Sequence, residues 1–320
     1  MRAFISGGAG FLGSHLADQL VLDGHHVTVL DDFSTGRMEN LANHGEQLDV
    51  ICGSTSNKGL VSEVVSESDH VYHLASPVGV MYVMQRPSYV VRSMLDGMAN
   101  VIAACVDHDK PLLFTSSSEV YGTDPAVPTP ETAPVIMGSP ESVRWHYAAG
   151  KAANEHQVLA AYQEYNLKAV VVRLFNVAGA RQSGRYGMVV PRFVWAALAG
   201  EVLTVYGHGL QTRSFAHVAD VVDGLVALAG CEKAVGEIVN LGSGVPISIN
   251  NLAKQIIEAT GSQSVIDHVP HSRAYGERFQ EVVRRTPDLR KAKRLVGYDP
   301  KRTLADIIQS MVVEREEHVH

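Results

Sequence analysis

No feature constrains the fold of this chain more than the stretch from Arg2 to Asp23. Arg2–Ser6 is short and apolar and reads as a strand. Gly7-Gly8-Ala9-Gly10-Phe11-Leu12-Gly13 follows, and an amphipathic run to about Asp23 then reads as a helix. Strand, glycine turn and helix form the setting that a dinucleotide fingerprint requires. The glycines let the backbone approach a pyrophosphate at the helix N-terminus, where free N–H groups and the helix dipole favour an anion. Gly7, Gly10, Phe11, Leu12 and Gly13 are therefore the expected cofactor contacts of this turn. The spacing is GxxGxxG rather than GxGxxG, and a bare glycine pattern is weak without further support.

That support begins with the second strand. His26–Leu30 alternates as a strand should and ends in Asp31-Asp32. An acidic residue about 20 positions after the glycines accepts hydrogen bonds from the adenosine ribose hydroxyls. Its charge repels a 2′-phosphate, which favours NAD over NADP, and Arg37 is the one residue arguing the other way. A polar strand end is the plain alternative for Asp31. Further strands are expected at 48–51 and 70–74. The second runs into His73-Leu74-Ala75-Ser76-Pro77, where small residues let the backbone at Leu74 and Ala75 pass close to a cofactor. A long helix over 89–107 precedes a strand at Pro111–Thr115. The Pro-, Thr-, Ser- and Glu-rich segment 123–143 reads as a loop. A helix over 146–166 and a β-branched strand from Lys168 to Leu174 follow. The alternation predicts an α/β fold with a doubly wound parallel sheet and right-handed crossovers.

Beyond residue 178 the rhythm changes, with Gly179, Arg181, Gly184, Arg185, Gly187 and Arg192 close together. A helix over 191–199, a strand at Leu203–Tyr206 and the run Gly207-His208-Gly209 lead to Gln211-Thr212-Arg213-Ser214-Phe215. Helix 218–229 and strand 237–241 are expected to return to the main sheet. The last eighty residues are expected to hold two or three helices and a basic segment, Arg284 to Arg294. The division this suggests is a cofactor-binding domain over 1–177, rejoined by about 215–245, and an interleaved substrate-binding domain over 178–320.

Within the helix over 146–166, Tyr147 and Lys151 stand four apart and share one face. Free tyrosine titrates near about 10, and an adjacent ammonium favours the phenolate. Lowering that value by about 3 units takes roughly 4 kcal/mol, which one lysine and an oxidised nicotinamide ring supply together. A hydroxyl from Ser116-Ser117-Ser118, at the end of the strand opening with Pro111, completes a small proton-transfer site. A Tyr and a Lys at this spacing also occur on ordinary surface helices, so the pair gains its weight from the glycine turn.

Composition sets outer bounds. The 320 residues are 46% hydrophobic and 19% charged, enough for one large domain or two that share a core. A net charge of −7 without a basic run makes nucleic acid an unexpected partner. Cys52, Cys105 and Cys231 are far apart and odd in number and read as reduced thiols. His268 and His271 are close together without a further ligand, so no metal is expected. The chain opens directly on a strand, and no apolar stretch is expected to reach membrane-spanning length. The default expectation is a soluble cytoplasmic protein with no membrane partner.

Taken together, these residues resemble the extended short-chain dehydrogenase/reductase superfamily, and within it the nucleotide-sugar epimerases, dehydratases and decarboxylases. The motifs that carry the resemblance are Gly7 to Gly13, Ser116-Ser117-Ser118-Glu119-Val120-Tyr121-Gly122, Tyr147 with Lys151, Arg173-Leu174-Phe175-Asn176, and Tyr206-Gly207-His208-Gly209 with Gln211 to Phe215. The resemblance implies a Rossmann-like sheet, a homodimer built on helices 89–107 and 146–166, and an NAD that is reduced and reoxidised in each cycle. It implies oxidation of a sugar C4 hydroxyl, with Tyr147 taking the proton, Ser117 bonded to the same oxygen and Lys151 holding the nicotinamide ribose. Asn176 and Arg213, with Arg192 or Arg285 nearby, would grip the diphosphate of a UDP-sugar.

Within the superfamily, the position matching Ser118 is Asp in 4,6-dehydratases, and simple 4-epimerases usually lack the following Glu. Ser118-Glu119 instead looks like the UDP-glucuronate decarboxylases, as do Arg144-Trp145-His146-Tyr147 and Tyr275-Gly276…Phe279-Gln280-Glu281…Arg285-Thr286-Pro287-Asp288. By that resemblance Arg285 meets the sugar carboxylate, Glu119 and Ser118 handle the proton returning to C5, and the product is UDP-xylose. The second reading is a UDP-sugar 4-epimerase acting on UDP-glucuronate or UDP-glucose, with Glu119 purely structural. A silent nucleotide-binding protein and a dehydrogenase that releases NADH complete the alternatives. The chain departs from the pattern at Gly53-Ser54-Thr55, which lacks the usual Asp, at Met94, where Asn is common, and at Gly179-Ala180, where Gly-Pro is usual.

Overall fold

A computed structural model of the chain describes residues 1–41, 45–77, 85–184, 187–275 and 280–317, so Arg185, Gly276 and Phe279 of the motifs above lie outside the described residues. In chain order the first lobe contains β1 (Arg2–Ser6), α1 (Phe11–Leu22), β2 (His26–Asp31), β3 (Leu48–Cys52), α2 (Lys58–Ser66), β4 (His70–His73), α3 (Pro87–Asp107), β5 (Leu112–Ser117), α4 (Arg144–Tyr165) and β6 (Ala169–Leu174). There follow β7 (Val177–Ala178), α5 (Val189–Leu198), β8 (Leu203–Tyr206), β9 (Thr212–Ser214), β10 (Ala216–His217), α6 (Val218–Ala229), β11 (Ile238–Leu241), β12 (Pro246–Ser248) and α7 (Ile249–Ala259). The chain closes with β13 (Ile266–Val269), α8 (His271–Tyr275), β14 (Arg284–Arg285), α9 (Arg290–Val296) and α10 (Leu304–Glu317).

Seven strands form one sheet in the order β11-β6-β5-β4-β1-β2-β3. Every pairing in it is parallel. Parallel strands covered on both faces must be apolar on both, and β6 shows how the sequence meets this demand. Its Val170 and Val172 join Leu16, Leu20, Val221 and Leu225 of α1 and α6 on one side. Its Ala169 and Val171 join Val61, Met98, Val101 and Val158 of α2, α3 and α4 on the other. Strand β11 closes the sheet beside β6, as expected for the segment around 237–241. A separate cluster of Phe193, Val205, Leu252, Ile256, Ile308 and Met311 makes the core of the smaller lobe. There β8 pairs with β13, and β9 lies between β12 and β14.

Three expectations change. Helix α2 was not anticipated; it is short, and its start is fixed by Asn57, whose side chain accepts from Leu60 N at 3.2 Å. The last eighty residues carry four helices among the described residues, not two or three, because α8 and α9 are only 5 and 7 residues long and too short to show a period. Helix α3 is, by length and composition, apolar enough to cross a membrane, contrary to the sequence reading. In the fold it packs on α2 and α4 and buries Val90, Met94, Met98, Val101, Ala104 and Cys105.

Candidate active site

The strand order reverses at β1, with β2 on one side and β4 on the other. At such a switch point the loops leaving the C-terminal strand ends diverge and open a crevice. Here a cleft of about 550 Å³ runs from the glycine turn, over the ends of β4, β5 and β6, to the smaller lobe.

At the cofactor end, Gly7 has φ +76°, and a Cβ there would lie 2.8 Å from Ala75 Cα. A Cβ on Gly13 would lie 2.2 Å from the Gly7 carbonyl oxygen. The turn therefore folds on itself and against the end of β4 so tightly that only glycine fits, which is the close packing a pyrophosphate cradle needs. Asp31 lies at the end of β2, where Ala9 N donates to its Oδ2 and Phe33 N to its Oδ1, both at 2.9 Å. Burial pushes its carboxyl pKa up, against the backbone donors of Phe33 and Ala9. Asp31 thus ties the glycine turn to β2 besides lining the cleft, a task the sequence did not announce. Asp32 is exposed and accepts from Ser34 N at 2.9 Å. Leu74 and Ala75 also line the cleft, and their backbone is fixed to Ser6: Leu74 N donates to Ser6 O at 3.0 Å. Ser6 Oγ lies 2.7 Å from Nδ1 of the buried His73, whose pKa falls to about 3 through burial and the nearby Lys151.

The proton-transfer groups meet where β5 ends against α4. Lys151 Nζ donates to Thr115 O at 2.7 Å and stands 4.8 Å from the Phe114 ring and 5.9 Å from the Tyr147 ring. Burial pulls its pKa down to about 7, with Glu155 opposing. Tyr147 is pushed up to about 12 by burial and by the charge of Glu119, against the hydroxyls of Ser117 and Ser76 and the cation of Arg285. Ser76 Oγ is itself buried and makes no well-formed hydrogen bond among the described residues. In this arrangement the net push on Tyr147 is upward, with Lys151 not among its main causes. Desolvation and a neighbouring carboxylate outweigh an ammonium that is bonded elsewhere and is itself drawn toward neutrality. Further positive charge above the pair is needed before the tyrosine can act as a base.

Behind this pair is a buried network that sequence reasoning missed. Arg173 of β6 and Glu155 of α4 form a two-pronged ion pair at 2.9 and 2.7 Å, and Ser116 Oγ donates to Glu155 Oε1 at 2.6 Å. Both side chains are about 95% buried, at 4% and 5% exposure. The available signal was spacing, since Glu155 stands one helical turn after Lys151 on the same face.

At the substrate end, arginines converge. Arg285 Nη1 lies 2.8 Å from Glu119 Oε1, and Arg144 Nη2 lies 3.3 and 3.4 Å from the two Glu119 oxygens. Burial alone would push Glu119 up, but Arg285, Arg144 and Arg213 hold it down at about 2. The three arginines thus hold Glu119 toward its anionic form in this arrangement. Ser118 beside it is buried, and Ser117 Oγ accepts from Glu119 N at 3.2 Å, which shapes the turn. Arg213 faces Arg285 in register between β9 and β14, and its Nη2 lies 2.5 Å from Glu281 Oε1. Burial and Arg285 bring Arg213 down to about 10, with Glu281 opposing. Arg192 donates to Thr204 O at 2.8 Å and stacks 4.4 Å from the Tyr206 ring, while Asn176 Nδ2 donates to Ser214 O at 3.2 Å. Asn176, Arg192, Arg213 and Arg285 all line the one cleft with Ser117, Ser118, Glu119, Tyr147 and Lys151.

The sequence model of the NAD dependent epimerase/dehydratase family matches residues 3–242. The chain belongs to this family. Its members use NAD, and the glycine cradle, Asp31 and the Tyr147–Lys151 pair fit that cofactor. UDP-N-acetyl-alpha-D-glucosaminuronate decarboxylase of Bacillus cytotoxicus is 39% identical over 300 residues, covering 93% of this chain and 92% of that protein. UDP-glucuronic acid decarboxylase 1 of Danio rerio is 37% identical over 301 residues, covering 93% of this chain and 69% of that protein. Among solved structures, UDP-glucuronic acid 4-epimerase from Bacillus cereus, in complex with UDP-glucuronic acid and NAD, superposes with a TM-score of 0.88 at 25% identity, covering 99% of this chain and all of that one.

Proposed function

We propose that this family member is a UDP-glucuronate decarboxylase that forms UDP-xylose. The observation that carries the reading is the pair of arginines, Arg285 and Arg144, clasping a carboxylate beside Tyr147. A sugar whose C4 hydroxyl meets Tyr147 brings its C5 substituent to that pair, and a carboxylate there is what two guanidiniums favour. Relatives named as nucleotide-sugar uronate decarboxylases support the same reaction class.

The glycine turn, Asp31 and Lys151 would hold NAD, which would supply reversible hydride acceptance at the sugar C4. Tyr147 removes the C4 hydroxyl proton while Ser117 bonds the same oxygen and Lys151, anchored on Thr115 O, contributes positive charge. The C4 ketone makes the C5 carboxylate a β-keto acid. The bond from C5 to the carboxylate carbon then breaks, its electron pair passing to C5 and the C4 oxygen as carbon dioxide leaves. As the substrate carboxylate engages Arg285, the attraction holding Glu119 ionised weakens and burial raises its proton affinity. Glu119, with Ser118 beside it, can then relay a proton to C5. Asn176, Arg192 and Arg213 hold the diphosphate, the planar forks matching its oxygens.

The test is to incubate the NAD-loaded protein with UDP-glucuronate and read the product mass. Loss of the mass of carbon dioxide is expected. An unchanged mass with a new retention time, identified as the galacturonate epimer, would replace this reading with a UDP-glucuronate 4-epimerase. That second reading draws on the Bacillus cereus structure, since the same arginines would hold a carboxylate that is retained.

A further inference from the structure

Asn240 takes no part in the chemistry above, yet it is a fully buried polar side chain of β11, opposite Arg173 of β6 in register. It stands behind the cleft rather than among the residues that line it. Its carboxamide is fully used. Oδ1 accepts from the Tyr121 hydroxyl at 2.7 Å, and Nδ2 donates to Thr129 O at 3.0 Å and to Asp288 O at 3.4 Å. Its backbone N donates to Glu131 Oε1 at 3.0 Å. An ionised aspartate here would lack both donors, and a leucine would offer neither donor nor acceptor.

These bonds reach the two segments that carry Glu119 and Arg285. Tyr121 closes the tight turn Ser118–Tyr121, in which Glu119 is the second residue. Asp288 follows Arg285 by three positions. The same segment is held a second time through Thr129, whose N donates to Thr286 O and whose O accepts from Asp288 N, both at 2.9 Å. One buried amide thus joins the turn at 118–121, the loop at 129–131 and the segment at 285–288. In the cleft, the side chains of Arg285 and Glu119 then meet at 2.8 Å. A charge-assisted contact of this kind depends on distance and angle, so a small slip of either backbone misplaces both groups.

We propose that Asn240 is a positioning residue that sets the turn of Glu119 against the segment of Arg285, and so aligns the proton relay with the grip on the C5 carboxylate. The proposal rests on the uronate reading above. Asn240 touches neither substrate nor cofactor; it acts through Tyr121 on Glu119 and through Asp288 and Thr129 on Arg285.

The test uses the NAD-loaded full chain and two variants. Tyr121→Phe removes one hydroxyl and keeps the ring 4.5 Å from the Arg173 guanidinium, so it releases the Glu119 turn alone. Its kcat for carbon dioxide release should fall by about tenfold or more, the scale on which a misplaced group costs rate. Its preference for UDP-glucuronate over UDP-glucose, read by titration calorimetry in a Tyr147→Phe background where turnover does not intrude, should persist. Asn240→Leu releases both segments, so kcat should fall and the preference should also drop by about tenfold, the worth of one well-made bond to a charged group. A purely structural role would lower Tm and the calorimetric number of sites per chain but leave kcat per site and the preference unchanged, and that result would overturn the proposal. So would equal loss of affinity for both sugars in Asn240→Leu. If Asn240→Leu does not fold, Tyr121→Phe decides, and an unchanged kcat there overturns the proposal. If the chain with Asn240 and Tyr121 intact shows no preference for UDP-glucuronate, the uronate reading falls and the proposal with it. If that preference exists and both variants keep it together with kcat, only the proposal falls.

Discussion

Glu155→Gln separates the two tasks of the buried network under the active site. Glu155 is 5% exposed in its side chain, takes both prongs of Arg173 and a bond from Ser116, and favours the Lys151 ammonium against burial. The amide keeps the shape and one acceptor but removes the charge. Breaking one side of a buried ion pair costs about 3–5 kcal/mol, because the partner is left charged in a poor solvent. At about 2 °C per kcal/mol for a large domain, Tm should fall by roughly 6 °C or more. Lys151 titrates at about 7 with Glu155 present. Since the carboxylate raises that value, its neutralisation lowers it. The ammonium is the working form, so the alkaline limb of kcat/KM for decarboxylation should move to lower pH. Thermal unfolding and a pH profile of carbon dioxide release check both halves. An unchanged Tm together with a superimposable pH profile would refute the assignment of Glu155 to both Arg173 and Lys151.

Tyr147→Phe should abolish product formation while UDP-glucuronate still binds, because the ring keeps its packing and only the hydroxyl is lost; near-normal turnover would remove Tyr147 from the mechanism. Gly13→Ala should eliminate NAD binding or destabilise the fold outright, since the added methyl meets the Gly7 carbonyl oxygen at 2.2 Å. Fluorescence titration with NADH reads the first effect and thermal unfolding the second, and an alanine variant normal in both would show that the turn relaxes at no cost.

Local constraints left their mark on the sequence, and non-local ones did not. The glycine turn was legible because a Cβ at Gly13 would collide with a carbonyl six residues earlier. The main sheet was legible because strands such as β6 must be apolar on both faces, and that leaves an unbroken run. Tyr147 and Lys151 were legible because one helix places them together. The ion pairs that surround this pair were not. Arg173 and Glu155 are 18 residues apart and Arg213 and Glu281 are 68 apart, so only the folded chain joins them. Burial is the larger omission. From sequence, Lys151 stands beside Tyr147 and should draw its proton away. In the structure, desolvation raises the tyrosine and lowers the lysine, and Glu119 adds to the first effect. A pattern of residue types names the participants in such a site, but the sign of their mutual influence depends on how much water the fold leaves between them. For this chain burial and Glu119 push Tyr147 upward, and positive charge bound above it works the other way.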